Sequence, residues 1–311
     1  TACGSAFYAG SVGKYVIEEL CRIPVEADLA SELRYRNPLV DEHTLLVVVS
    51  QSGETADTIA AMKECKARGA RVLAIVNVVG STIAKLADDV VYTWAGPEIA
   101  VATTKGYTTQ VAVMDMLAVY LARRLGRLDD AQNKELVDAI LQFPSLIQRS
   151  IDLNPNLPAL AEKYHSHNDV FFIGRNLDYA ASMEGSLKLK EISYLHSEAY
   201  AAGELKHGTI ALIEKGRPVV ALACYETLFD KMMSNIKEVK ARGAQVLAVV
   251  LEGNRQIFAE ADDVIFVPRT KEIFNTLPEI VPLQLFAYYV AKANGCAIDK
   301  PKNLAKSVTV E

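Results

Sequence analysis

Two stretches of this chain repeat each other. Lys66-Ala-Arg-Gly-Ala-Arg-Val-Leu-Ala-Ile-Val76 returns as Lys240-Ala-Arg-Gly-Ala-Gln-Val-Leu-Ala-Val-Val250, and Ala87-Asp-Asp-Val90 returns as Ala261-Asp-Asp-Val264. Both pairs stand 174 residues apart (240 − 66 and 261 − 87). One offset shared by two separated motifs marks a duplicated domain. The length of 311 residues suits two domains of about 150 residues each. Each copy reads as helix, glycine stop, strand, short helix and second strand. Strands are expected at 70–77 and 89–94, and again at 245–251 and 263–268. Strands alternating with helical runs imply βαβ units and a parallel sheet, an α/β fold. Long apolar helices are expected to close the copies, at 104–125 and 277–294. Gly4 and Gly174 take similar places, each just after an apolar start, and residues 1–3 read as a strand. The first domain is expected at 1–150, the second at 151–295 and a tail at 296–311, with Pro144, Pro155 and Pro158 interrupting helical continuity near the boundary.

Within the first copy, Ser50-Gln51-Ser52-Gly53-Glu54-Thr55 joins a buried β-branched run, 44–50, to a helical run at 58–68 that ends on Gly69. In an open α/β sheet the ligand crevice lies at the carboxyl ends of the strands. A helix N-terminus there offers unpaired N–H groups and the positive end of its dipole. Ser50, Ser52 and Thr55 add hydroxyls, and Gly53 lets backbone come close. A phosphate is the natural guest; a plain cap with a Ser52…Thr55 turn is the alternative. The second copy has only Cys224-Tyr225-Glu226-Thr227 opposite, two residues shorter and without serines or glycine. One phosphate site in the first half, and other work in the second, is therefore expected.

That work points to 184–196. Glu184, Lys188, Glu191 and Leu195 fall at helical steps of four, three and four. A Glu beside a Lys can act as a general base with a cation to steady developing charge, or it can be a solvated ion-pair face. The segment 199–209 is a glycine-bounded loop carrying Glu204, Lys206 and His207. His207 suits proton transfer near neutrality, or it is a surface histidine. In the tail, Lys306 has the chemistry to form an imine with a carbonyl compound, although a flexible terminus is the default.

Charge and composition narrow the partners. A net charge of −5 and a pI of about 5.7 argue against nucleic acid or an anionic membrane. No run reaches the length of a membrane span and no signal peptide is visible. The five cysteines, Cys3, Cys21, Cys65, Cys224 and Cys296, are scattered and form no CxxC. Buried thiols in a reducing cytoplasm fit them better than disulfides or zinc. Cys3 as a near-terminal nucleophile is weighed against core packing, and packing is preferred. The five histidines lack ligand spacing, so no metal and no cofactor are expected. A start without Met, inside a strand-like stretch, suggests a piece of a longer protein.

Several motifs together carry a family resemblance over essentially the whole chain. They are Cys3-Gly4-Ser5, Ser50-Gln-Ser-Gly-Glu-Thr-Ala-Asp-Thr58, Val101-Ala-Thr-Thr-Lys105, Glu184-Gly-x-Leu-Lys-Leu-Lys-Glu191, Ala202-Gly-Glu-Leu-Lys-His-Gly208 and Asn303-Leu-Ala-Lys-Ser-Val-Thr-Val-Glu311. The chain resembles the sugar isomerase (SIS) domains of the isomerising glutamine–fructose-6-phosphate aminotransferase family. The resemblance implies two tandem SIS subdomains, each a flavodoxin-like three-layer sandwich, and a homodimer. It implies binding of fructose 6-phosphate and its conversion to glucosamine 6-phosphate, with ammonia from an N-terminal glutaminase domain that these 311 residues lack. Phosphate contacts carry over onto Ser50, Gln51, Ser52 and Thr55, and sugar contacts onto Ser5, Thr103 and Ala305. His207, from a neighbouring subunit, would open the ring. Lys306 would form the imine, the tail closing the site. Glu191 would move the proton between C1 and C2, with Glu184 and Lys188 in support. Ala6 and Thr103 stand where the family usually has Ser, so one hydroxyl contact is lost at Ala6. A related sugar-phosphate isomerase or deglycase, or a non-catalytic sugar-phosphate sensor, is the alternative.

Overall fold

The strand Leu45–Ser50 (β1) alternates its side chains between two cores, and that alternation builds the layers of the first half. The computed structural model describes residues 1–310 and divides them into two units, Thr1–Asn133 with the tail from Asn303, and Lys134–Lys302. In the first unit β1, β2 (Arg71–Val76) and β3 (Asp89–Tyr92) pair in parallel, in that order. Leu46 and Val48 of β1 join Val72, Ala74 and Val76 of β2 on one face. That face is covered by α2 (Ala30–Leu33), α3 (Ala56–Ala67) and α4 (Thr82–Leu86), through Ala30, Leu33, Ala61, Met62, Cys65 and Ile83. Val47, Val49 and Ile75 point to the other face, against α1 (Ser5–Cys21) and α5 (Lys105–Arg124) through Phe7, Val113 and Met114. Strands buried on both faces are what a parallel sheet with helical crossovers requires.

The second unit repeats the plan with a longer sheet. Its strands β4 (Asp169–Gly174), β5 (His196–Ala201), β6 (Pro218–Ala223), β7 (Gln245–Leu251) and β8 (Asp263–Val267) are all parallel, in the order β5-β4-β6-β7-β8. This is the flavodoxin-like order, whose switch point lies between the first and third strands in sequence, here β4 and β6. Helix α10 (Phe229–Lys240) covers one face through Met232, Ile236 and Val239. On the other face α9 (Leu177–Ser193) packs against β4 and β5 and against α11 (Thr276–Ala293), which also meets α7 (Phe143–Asp152) and α8 (Leu157–Tyr164). Gly185 permits the close approach there: a Cβ would stand 2.9 Å from Leu283 and 3.2 Å from Phe172. The division between the units falls inside α6 (Asp130–Leu141), while Pro144 and Pro158 sit in the first turns of α7 and α8, where a missing N–H costs nothing.

The duplication is visible element by element. Helices α1 and α9 both have 17 residues, β1 and β6 six, α3 and α10 twelve. Their starts are offset by 172 (177 − 5), 173 (218 − 45) and 173 (229 − 56). Both 17-residue helices end on a left-handed residue, Arg22 or Tyr194. The bridge Ala2–Leu29 matches the rung Gly174–Ala201 at the same offset of 172 (174 − 2, 201 − 29). Thr1 and Ala2 thus hold the place of the end of β4. The Thr1 ammonium donates to the Val47 carbonyl (2.7 Å) and the Thr1 carbonyl accepts from Val49 (3.2 Å).

Five expectations need correction. Residues 1–3 are not a strand: Ala2 alone pairs in an isolated bridge, and helix α1 begins two residues after Cys3. The two strand-to-helix loops are equal in length, 51–55 and 224–228, because the short second-copy motif continues through Leu228 before α10 starts. The segment 199–209 is a loop only after Ala201, since its first three residues complete β5. Leu195 lies past the left-handed cap of α9, so it does not share the helical face of Glu184. Strand β3 stops at Tyr92, before the positive φ of 52° at Trp94.

The residues that open α1 and α9 share an unusual backbone, Gly4 at φ 56°, ψ −136° and Asn176 at φ 54°, ψ −126°. Glycine accepts that geometry freely, whereas a side chain there is strained by about 1–3 kcal/mol. Gly4→Ala should therefore lose about 1–3 kcal/mol although a Cβ would meet no atom, and Asn176→Gly should gain about 1 kcal/mol. Denaturant melts of the two variants check both signs.

Candidate functional site

In the first unit the predicted residues cluster at the carboxyl end of β1. Ser50, buried at the strand end, accepts the Gly53 N–H on its Oγ (3.0 Å) and lies 3.3 Å from the Thr55 hydroxyl. Ser52 Oγ accepts the Glu54 N–H (3.2 Å). Both serines therefore tighten the loop on itself. Gly53 is held at φ 68°, and a Cβ on it would stand 2.1 Å from Ser81 Oγ, so only glycine fits. The Gly53 carbonyl accepts from Ile83 (3.0 Å) and Glu54 Oε1 from the Thr82 N–H (2.8 Å), fastening the loop to α4. Those bonds from Thr82 hold the Glu54 carboxyl below its usual range. The plain-cap alternative is not what forms. Thr55 is the N-cap of α3 and makes no side-chain capping bond; its hydroxyl turns to Ser50 instead.

The tail completes this cluster. The Val308 carbonyl accepts the Ala56 N–H (3.1 Å) at the first turn of α3, and the Ser307 hydroxyl lies 3.1 Å from Ser52 Oγ. Lys306 Nζ donates to the Ala100 carbonyl (2.6 Å), and Ala305 beside it is exposed. The loop that carries Ala100 is itself clamped. Glu98 Oε2 accepts from the Thr103 hydroxyl (3.0 Å), the Gly106 N–H (2.8 Å) and the Thr104 N–H (3.4 Å) at the start of α5. A carboxylate at a helix N-terminus is stabilising there. A Cβ on Gly106 would stand 2.5 Å from Thr103 Oγ1 and 3.3 Å from Gln51 Cγ, so this clamp abuts the anion loop. Ser5 is the buried first residue of α1, and Ala6 joins the apolar face with Phe7. Glu98 and Ser307 were missed by sequence reasoning. Glu98 could have been found as an acid placed just before the Thr103-Thr104-Lys105 helix start; Ser307 has no local signal.

The other predicted residues lie in the second unit. Glu184, Lys188 and Glu191 form one row on α9, and the row is buried, not a solvated ion-pair face. Glu184 is fully buried, Lys188 is 1% exposed and the Glu191 side chain 22%. Lys188 Nζ lies 3.4 Å from Glu184 Oε1 and donates a closer bond to Glu191 Oε2. Burial alone would lower the Lys188 pKa; the charges of Glu184 and then Glu191 outweigh it and hold the ammonium above its ordinary range. The arrangement is a fixed cation with one carboxylate sealed behind it and one partly open. His207 stands apart, exposed on a short 3-10 turn over Leu205–His207. The predicted residues therefore fall into two groups, one in each unit.

The crevice of the second unit, between the ends of β4 and β6, holds acids. Asp178 Oδ2 accepts the N–H groups of Cys224 (3.0 Å) and Tyr225 (3.1 Å). Asn275 Nδ2 donates to the Cys224 carbonyl (2.9 Å). Glu279 is fully buried beside the Cys224 thiol and is held well above its usual range, by burial first and by the Asp178 charge second. Burial pushes Asp178 up to about 7 against its two N–H bonds. Burial likewise raises the Cys3 thiol, which argues for packing against Thr58 over catalysis. Among the described residues no group of three or more His, Cys, Asp or Glu side chains is placed to hold a metal ion, and no helix is long and apolar enough to cross a membrane.

Two outcomes follow from these buried charges. Lys188→Met should lose about 3–5 kcal/mol by stranding Glu184, and the double variant with Glu184→Gln should recover much of it; denaturant melts read both. A carboxyl whose pKa is raised by folding stabilises below its unfolded value, and that stability is lost as pH rises through the folded value. Glu279→Gln removes one such group. Its melting temperature should gain on that of the unmodified chain between pH 5 and pH 8, and an equal difference at both would contradict the assignment.

With this geometry in hand, comparisons with known proteins fall into place. The SIS domain family matches residues 1–120 and 163–292. The glutamine–fructose-6-phosphate aminotransferases (isomerizing) of Clostridium tetani and Caldanaerobacter subterraneus are each 56% identical over 310 residues. Those alignments cover 100% of this chain and 51% of each relative, so the chain spans about half the length of the curated relatives it matches. A solved structure, the C-terminal domain of glucosamine-fructose-6-phosphate aminotransferase from Francisella tularensis, superposes with a TM-score of 0.92 at 34% identity. It covers 96% of this chain and 84% of that one. The chain belongs to the SIS domain family, in the branch of that C-terminal aminotransferase domain.

Proposed function

We propose that this chain binds fructose 6-phosphate and carries out the ketose–aldose isomerisation that yields glucosamine 6-phosphate when ammonia is supplied. The observation that carries the reading is the Lys188 ammonium buried between Glu184 and Glu191. Taking a cation out of water costs several kcal/mol before its partners repay it, and a cation fixed in this way can steady negative charge that develops on a substrate. The loop 50–55 with the first turn of α3 holds the phosphate, through Ser50, Gln51, Ser52 and Thr55. Ser5 and Thr103 hold sugar hydroxyls, with Ala305 against the sugar. His207, from a second copy in a homodimer, moves the proton that opens the ring. The Lys306 amine attacks the C2 carbonyl, releasing water and forming an imine. Ammonia then displaces the Lys306 amine from C2 by imine exchange, and Glu191 takes the proton from C1 and returns it to C2, while Lys188 steadies its carboxylate and Glu184 holds Lys188. The remaining half of the longer relatives is where a glutaminase domain would supply the ammonia.

The test is conversion of fructose 6-phosphate to glucose 6-phosphate. Glu191→Gln should lose about 10²–10⁴-fold in kcat, the usual worth of a general base. Ser52→Ala should chiefly raise KM. Borohydride should trap sugar on the unmodified chain and not on Lys306→Ala. Unchanged turnover in Glu191→Gln would remove that residue from the role.

A further inference from the structure

The crevice that holds a ligand in the first unit has an exact counterpart in position, though not in content, in the second. By the offsets of the paired elements, Cys224 and Tyr225 stand where Gln51 and Ser52 stand (224 − 51 and 225 − 52 are both 173), and Asp178 stands where Ala6 stands (178 − 6 is 172). The first unit has a methyl group at that point of its leading helix. The second has a carboxyl, and one oxygen of it accepts both loop N–H groups, at 3.0 and 3.1 Å. These are the donors that a strand-to-helix loop at a switch point offers to an anion.

A second set of observations marks the same spot as a place built for polar contact and closed to solvent. Asp178, Asn275, Thr276 and Glu279 are each 1% exposed or less. Asp178 Oδ1, Asn275 Oδ1 and Thr276 Oγ1 have no hydrogen-bond partner, and Glu279 has only the Cys224 thiol. Orphaned polar atoms this deep are rare and each costs about 1–3 kcal/mol. They gather where α9, the end of β6 and α11 meet, at the switch point.

We propose that the crevice of the second unit is an anion-accepting site permanently occupied by the chain's own Asp178 carboxyl, which closes it to a ligand from solution. A duplicated pair of crevices would otherwise offer two such sites. The closed crevice takes a small carboxylate from solution only when the internal one is removed. This inference rests on the duplication and the second unit's own bonds, and it stands whether or not the chain isomerises fructose 6-phosphate.

The experiment compares Asp178→Ala and Asp178→Asn in the 311-residue chain, melted in sodium chloride and in sodium formate at equal ionic strength. Formate replaces the carboxyl that alanine lacks. Asp178→Ala should melt well below the unmodified chain in chloride and regain at least half of the loss in formate. Asp178→Asn keeps an acceptor oxygen and should show no formate gain, like the unmodified chain. If Asp178→Ala folds only when refolded in formate, the proposal is supported. It is overturned if Asp178→Ala melts like the unmodified chain in chloride, or if formate restores nothing while Asp178→Asn folds. Titration of the unmodified chain with fructose 6-phosphate supplies an independent arm: two molecules bound per chain would overturn the proposal, whereas none bound would instead refute the substrate assignment and leave the formate result to decide.

Discussion

A parallel strand pair cannot be joined by a tight turn, so each strand must return through a crossover helix. Where consecutive crossovers leave for opposite faces, the carboxyl ends of two strands face a gap. The N–H groups of the loops and helix starts around it have no strand to bond. How that gap is filled sets the polar chemistry at the strand ends of each unit. In the first unit the filling is hydroxyl-rich and open at Ser50–Thr55, with the tail carbonyl of Val308 resting on one of the donors. In the second the donors meet Asp178.

The second unit holds its buried polar groups under two opposite regimes. The Lys188 row places a charge in the interior and balances it with two carboxylates. Removing one partner is far costlier than removing the set, because the charge left behind has no water to return to. Among the described residues no cation faces the Asp178 and Glu279 pair, and burial holds both carboxyls above their usual range.

Much of the layered fold was legible in the chain. The 174-residue repeat and the alternation of apolar strands with glycine-stopped helices predict the sheets, and β7 spans 245–251 as the pattern indicates. Ser50–Thr55 was legible as a strand-to-helix loop because its residue types are unusual for a plain turn. The burial of Lys188 was not, since steps of four and three describe a solvated ion-pair row equally well. Asp178 reads locally as an ordinary acid in the first turn of a helix, and only the loop 46 residues away reveals what it holds. Glu98 and Ser307 escaped for the same reason: local periodicity carries no record of which distant segment arrives alongside.

The tail has a further consequence. Ser307 meets a partner 255 residues earlier in the chain, and Lys306 one 206 residues earlier. Fixing each tail residue costs about 1–2 kcal/mol of backbone entropy, against a few hydrogen bonds worth about 1 kcal/mol each. The strip bearing the Lys306 amine is thus the kind of segment that detaches by itself while the sheet behind it stays intact. An amine mounted on such a latch can leave its carbonyl rest at Ala100 without any rearrangement of the core.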